Sequence, residues 1–482
     1  MRGCLQAEAN QTDASRDTHR ASLTPQTHLR RQLGLGAAAA AVAGEAIGVG
    51  IFLTPAGMAR QLGSPFWLLM VWLVMGLMAV AGSLCFGSLA ARYPEAGGAY
   101  VYLREAFGPR LAFLYGWMQL LVMDPGVTAS LAVGMAAYTA SVAHITVVEQ
   151  KVLGILIILG LAALNMRGTR LGAGLLQGLT WLKISALGLL PVWALAFGLG
   201  DWSHFRPLVT PRSGSAPLFT ALAASLMAAF YSFGGWWDAT KIAGEVREPE
   251  RNMPRALVLG VLLVTLVYVL ITSVFIYLVP IERITSGETF MAQAGARLFG
   301  AAGASIMAVL VVLCVLACIT ALLMLSPRVY YAMARDGLFF EAIARTHPAY
   351  GTPARSVAIQ AILASLLVAL GTFTQIVAYF VFVAVAFLGL TVAGLFRLHS
   401  RHSSGEPILA ANAGDGHSDS AMAGDVSPWR RFRVPGFPYT PIVFLLLTAL
   451  MLLLIASRSP RQALLGVLVV SLGVPAFQFV RK

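Results

Sequence analysis

Apolar runs long enough to cross a bilayer recur along this chain, and the short polar segments between them hold most of its charge. A helix through the hydrocarbon layer needs about 20 predominantly apolar residues. Twelve stretches supply them, at roughly 34–60, 65–91, 111–141, 151–166, 174–199, 216–242, 256–280, 301–333, 355–371, 375–397, 440–457 and 462–480, with the fourth, ninth and eleventh shortest. The pattern predicts an all-α integral membrane protein of about 12 transmembrane helices. Two of these spans are interrupted. In the first, Ala43–Pro55 reads AGEAIGVGIFLTP, placing Gly44, Gly48 and Gly50 within seven residues, beside Glu45 and ahead of Pro55. Each helix-interior glycine costs about 1 kcal/mol relative to alanine, so the helix is expected to open here. The sixth span repeats the logic with YSFGGWWD at 231–238. Opened backbone at membrane depth must be buried in protein or line a cavity. Glycine-interrupted spans at corresponding positions in two halves point to an inverted repeat with a binding site at the breaks. Spans one to five and six to ten are then the two copies, and an odd number of spans per copy inverts the second.

Composition agrees: 58% of the residues are hydrophobic and 11% charged, against about 25% charged in soluble proteins. The net charge of +13 is not spread as in a nucleic-acid binder. With the N-terminus inside, 25 of the 34 Lys and Arg fall in cytoplasmic segments and eight in external ones, and Lys183 lies within a span. This is the positive-inside asymmetry, and it places both termini in the cytoplasm. The polar residues 1–32 read as a disordered cytoplasmic tail, 33–397 as a ten-helix transport core, 398–438 as a cytoplasmic loop ending in Arg430, Arg431 and Arg433, and 439–482 as two accessory helices. The segment after the second span, ARYPEAGGAYVYLREAFGPR, is expected to form a short amphipathic helix on the cytoplasmic face, with a part in an inner gate as the functional alternative. Short loops and the lack of a targeting segment point to a bacterial plasma (inner) membrane.

Glu45, Asp124 and Lys183 are ionisable groups well inside spans. Each costs about 2.5–3.5 kcal/mol at mid-membrane on insertion scales, so each is expected to face a cavity or a partner. Glu45 and Asp124 are read as facing the central cavity, pairing with Lys183 or attracting a cationic side chain. The alternatives are an inner vestibule for Glu45 and a local hydrogen bond for Asp124 in the proline-broken third span. Asp238 and Lys241, three residues apart, read as a local ion pair near the cytoplasmic edge. Trp236 and Trp237 are candidates for the pocket wall or for helix packing. A helix N-terminus offers amides to an anion and a C-terminus offers carbonyls to a cation, so two breaks together suit a zwitterion. None of the eight histidines lies well inside a span, and the chain has no HExxH, P-loop or nucleophile–base constellation. An enzyme, an ATP-driven pump, a metal site and a cofactor are not expected. Cys314 and Cys318, one helical turn apart, read as small packing residues.

The motifs GEAIGVGIFLTP (44–55), YPEAGGAYVYL (93–103), YSFGGWW (231–237), EVREPERNMPRA (245–256) and YYAMARDGLF (330–339) occur in this order. Together they resemble an amino-acid permease of the amino acid–polyamine–organocation (APC) superfamily. The resemblance implies a LeuT-type five-plus-five inverted repeat that moves amino acids by alternating access. It places the substrate carboxylate at the amides of Val49, Gly50 and Ile51. The α-amino group falls at the carbonyls of Ala46, Ile47, Tyr231, Ser232 and Gly234. Tyr231 takes the position of the gating aromatic, with Trp236 beside it. Many family members carry a hydroxyl residue where this chain has Val49, which removes a side-chain contact and leaves the amide. Lys183 matches a lysine of sodium-independent members, implying proton coupling or exchange with Lys183, Glu45 and Asp124 as the coupling groups. A carrier of polyamines or organic cations is the alternative within the fold. The family's heterodimeric branch attaches a partner through an external cysteine after the third span; residues 144–150 contain none, so no such covalent partner is expected.

Overall fold

The computed structural model describes residues 29–48, 50–143, 145–211, 214–283, 290–370, 381–403, 434–458 and 460–480. The expectations for most of the tail, for 404–433 with Arg430–Arg433, and for the start of the tenth span lie outside these residues. Nine helices among the described residues are long and apolar enough to cross a membrane, or ten when the bent first pair is counted as one span. Two shorter apolar helices, 354–370 and 463–478, occupy the ninth and twelfth positions, whereas the fourth and eleventh are full-length. This is a multi-pass membrane protein.

The first span is two helices, α1 (Leu35–Ala46) and α2 (Gly50–Leu62), bent by 44° at the glycine-rich break. α3 (Pro65–Arg92) is the second span, followed by the short α4 (Ala99–Phe107). The third is composite: α5 (Pro109–Met118), one π turn (Gln119–Met123) and α6 (Asp124–Ala143). The π turn directly precedes Asp124-Pro125, where the proline cannot donate to the preceding turn. α7 (Val147–Met166) and α8 (Thr169–Ala196) complete the first five spans. In the sixth, α9 (Leu218–Phe233) stops at Gly234-Gly235 and resumes as 3₁₀ turns over Asp238–Glu245. Gly235 has φ +101°, a conformation that excludes side chains with a Cβ. α10 (Pro249–Leu278) follows, then the small α11 (Phe290–Phe299). The eighth span, α12 (Gly303–Leu325), turns at Pro327 into α13 (Pro327–Arg335). α14 (Ala354–Leu370), α15 (Val381–Ser403), α16 (Tyr439–Arg458) and α17 (Pro460–Val480) close the chain.

Packing pairs each of the first four spans with the one five places later. α2 lies on α9, α3 on α10, α6 on α12 and α7 on α14. α8 backs α1, α10 and α12, while α16 and α17 pack at the periphery on α15 and on α5. Between helices in lipid there is no hydrophobic driving force, so close backbone approach through small residues matters more. A Cβ on Gly260 of α10 would lie 2.5 Å from Val42 of α1, and one on Gly76 of α3 the same distance from Thr265 of α10. Leu189, Leu446 and Leu464 remain exposed on the outside, as lipid-facing positions require.

α4 departs from its expected interfacial setting. Tyr100, Val101, Tyr102 and Leu103 are buried, because the helix inserts between α15 and α13 rather than lying on the surface. Its amphipathic face is turned toward protein.

Gly260→Ala should destabilise the fold by about 1–3 kcal/mol through overpacking against Val42. Gly188→Ala, in open space on α8, should be neutral or stabilising by up to about 1 kcal/mol. Thermal melting in detergent of the two variants distinguishes them, and equal melting temperatures would contradict the close α1–α10 packing.

Candidate functional site

The break after α1 leaves its last carbonyls without intrahelical partners. Three helices supply donors. Lys183 of α8, fully buried, places Nζ 2.8 Å from the Gly44 oxygen and 2.7 Å from the Ile47 oxygen. Tyr268 of α10 holds its hydroxyl 2.7 Å from the oxygens of both Ala46 and Ser232, so one proton is shared between the two breaks. Cys318 of α12 lies 3.0 Å from the Glu45 oxygen and 3.2 Å from that of Gly44. On the other side of the break, Gly50 starts α2 against the end of α9. A Cβ there would meet the Ser232 Cα at 2.7 Å, so only glycine permits this approach. Thr54 and Ser232 hydroxyls then bond at 2.9 Å across the junction.

The two breaks face one common cavity. Its walls are largely apolar, including Met123, Val127, Leu131, Phe230 and Leu322, and three carboxyls reach it: Glu45, Asp124 and Asp238. Asp124 accepts from Lys241 Nζ at 3.1 Å and from the Tyr330 hydroxyl at 2.7 Å. Lys241 Nζ also lies 3.0 Å from Asp238 and 3.4 Å from the Ser326 hydroxyl. Glu45 and Asp238 share the cavity wall, and Glu45 Oε2 has no hydrogen-bond partner.

Of the residues singled out in the sequence, Glu45, Ala46, Gly50, Asp124, Tyr231, Ser232 and Gly234 line this cavity. Ile47 and Ile51 are buried behind the wall, Lys183 stands behind α1, and Val49 lies outside the described residues. Trp236 packs away from the cavity, edge-on to Phe86 at 5.4 Å and Phe444 at 6.4 Å, while Trp237 takes the wall position. Asp124 pairs with Lys241 rather than with Lys183. Lys241 was legible as the partner of Asp238, but it is buried and spans to a second helix. Sequence reasoning missed Tyr268, although it is the one aromatic between Leu257 and Ser273 of α10, an otherwise almost wholly aliphatic stretch. It also missed Tyr330, which the motif YYAMARDGLF contains.

The motifs outside the spans meet at one end of the molecule. Arg104 of α4 donates to Asp336 at 2.7 Å, to Glu105 at 2.9 Å and to Glu95 at 3.2 Å, and Arg335 reaches Glu95 at 3.0 Å. Burial works against the Arg104 charge, yet Asp336, Glu95 and Glu105 more than offset it and hold its pKa above the ordinary guanidinium value. Burial pushes the Glu105 carboxyl up, against the pull of Arg104. Arg328 pairs with Glu245 at 2.7 Å, and Glu245 accepts the Gln32 and Leu33 amides through its carbonyl.

Discontinuous spans that meet at an internal cavity of a multi-pass membrane protein are the architecture of secondary transporters. The chain belongs to the amino acid permease family, whose profile matches residues 33–473. It is 27% identical to the serine/threonine exchanger SteT of Bacillus subtilis (strain 168) over 87% of this chain and 90% of that protein. It is likewise 27% identical to the b(0,+)-type amino acid transporter 1 of Mus musculus, over 79% and 78% of the two chains. The large neutral amino acids transporter small subunit 2 of Homo sapiens is 27% identical over 76% of this chain and 69% of its own length.

Lys241→Met removes the ammonium from between two buried carboxyls and should destabilise the protein by about 3–5 kcal/mol. The double variant Lys241→Met/Asp124→Asn should recover part of that loss. A melting-temperature cycle over the single and double variants reads the coupling, and strict additivity would contradict the bridge.

Proposed function

We propose that this protein is a secondary transporter that moves amino acids across the plasma (inner) membrane by alternating access, independently of sodium, by exchange or with protons. The observation that carries the reading is the meeting of two broken spans at one cavity: the amides that open α2 and the acidic, carbonyl-rich end of α1 face the same space. The substrate carboxylate docks at the first turn of α2, at Gly50 and Ile51. The α-ammonium docks on the opposite side, among Ala46, Ser232, Gly234 and the Glu45 carboxyl. Tyr231 is the closing aromatic above it. The pairing of each of the first four spans with the one five places later supports a LeuT-type inverted repeat for 33–397, with α16 and α17 accessory and both termini cytoplasmic. Family membership and the relatives' transport of amino acids support the substrate class.

Lys183 supports sodium independence. Its ammonium is bound to two carbonyls at the break, the kind of ligand that a metal cation would otherwise require. Release of Lys183 from those carbonyls biases the carrier between its inward-facing and outward-facing forms. One observation favours a second reading, a carrier of polyamines or other organic cations: three carboxyls line the cavity.

Proteoliposomes preloaded with unlabelled amino acids should take up labelled L-threonine, L-serine or L-leucine faster than empty ones, and replacing sodium by choline should leave the rate unchanged. In Lys183→Ala uptake should fall by on the order of tenfold, a typical coupling between sites. Sodium-driven accumulation would overturn the role of Lys183, and uptake of putrescine without any amino acid would replace the first reading by the second.

A further inference from the structure

The carboxyls around the cavity outnumber the cations that face them. Glu45, Asp124 and Asp238 stand against Lys241 and, beyond the end of α1, Lys183. The two lysines are committed: Lys241 to Asp124 and Asp238, Lys183 to backbone carbonyls. Among the described residues, the other titratable groups here are Tyr268 of α10 and Cys318 of α12, both bonded to carbonyls, and Tyr231 of α9 on the cavity wall. One negative charge is therefore left over, and burying it without compensation is costly. Glu45 carries it. The residue is 8% exposed, its Oε2 has no partner, and it lies on the cavity wall. Asp238 lines the same cavity, so the two carboxyls face one space. Two such groups side by side do not both stay ionised unless a cation separates them.

We propose that the Glu45–Asp238 pair is a one-charge site that holds a proton when the cavity is empty and releases it to water when the ammonium group of a substrate enters. The proposal rests on the transport reading above and gives it a sign. The substrate arrives as R–NH₃⁺. The shared carboxyl O–H bond breaks, its proton leaves to water, and N–H···O bonds to both carboxylates form in its place. Charge in the site is unchanged, so every loading event releases one proton. The carrier then alternates between proton-loaded and amine-loaded forms, which makes amine and proton move in opposite directions. Asp124 takes no direct part, since Lys241 and Tyr330 occupy its two oxygens. The chemistry recognised is a primary ammonium, whether the α-amino group of a neutral amino acid or the side-chain amine of lysine or a diamine. The apolar remainder of the wall leaves room for an aliphatic body.

The test is titration calorimetry on the full-length protein in detergent, in buffers of different ionisation enthalpy, from pH 5.5 to 8.5. L-leucine, L-lysine and putrescine separate the sources of the amine, and 4-methylpentanoate, which lacks one, is the control. At least one amine should bind with release of about one proton, and its Kd should fall up to tenfold per pH unit while the site is protonated. The control should not bind. In Glu45→Gln and Asp238→Asn, both near-isosteric, the release should vanish and the affinity become independent of pH. Amine binding without proton release and with a flat Kd in the wild type overturns the exchange site, even if neither variant binds. Undiminished release in both variants overturns its location. Failure of every amino acid and amine to bind a protein that melts cooperatively overturns the transport reading itself.

Discussion

The backbone opened between α1 and α2 is the constraint that the rest of the structure serves. Carbonyls freed inside a membrane protein have no water to turn to, and each unsatisfied one costs several kcal/mol. Here the donors come from α8, α10 and α12, so three helices distant in sequence are tied to one short stretch. Tyr268 ties the stretch to the second break as well, because its hydroxyl serves both Ala46 and Ser232. The breaks are therefore one unit, and movement at either must exchange hydrogen bonds at the other.

Around that unit the protein is closely packed, which gives the few charges their weight. Lys241 joins the 3₁₀ segment to α6, and Tyr330 joins α13 to the same aspartate. Ionic contacts at the surface contribute little, but a buried group stripped of its partner is strongly destabilising. The cluster thus fixes the floor of the cavity and keeps an unpaired carboxyl exposed to whatever enters.

The charged network outside the spans has a different character. Arg104, Glu95, Asp336 and Arg335 connect the segment after α3 to the segment after α12, and the Leu33–Val246 pairing fastens the start of α1 to the segment after α9. Motifs scattered over more than 200 residues of sequence are thereby neighbours at one end of the molecule. Their partly solvated ion pairs separate more easily than the buried cluster, so this end is the softer of the two.

Much of this was legible in the chain. Membrane location, helix content and the two breaks follow from local properties: run length, glycine cost and the price of unsatisfied backbone in lipid act on neighbouring residues and need no fold. So does the ion pair of Asp238 with Lys241, three positions apart. The interfacial reading of α4 failed because an amphipathic face is the same pattern whether it meets lipid or protein. Which partner each buried group would meet was likewise not local. Asp124 and Lys241 are 117 positions apart, and Lys183 was an equally good partner on charge alone. Only the placement of the 3₁₀ segment against α6 and of α8 behind α1 decides that Lys241 takes the carboxylate and Lys183 the carbonyls. The same holds for Trp236 and Trp237: adjacent in sequence and alike in chemistry, they are divided between helix packing and cavity wall by the backbone turn at Gly234–Gly235. Sequence determined which groups would need partners, and the tertiary structure chose the partners, because hydrogen bonds and charges are satisfied by proximity in space.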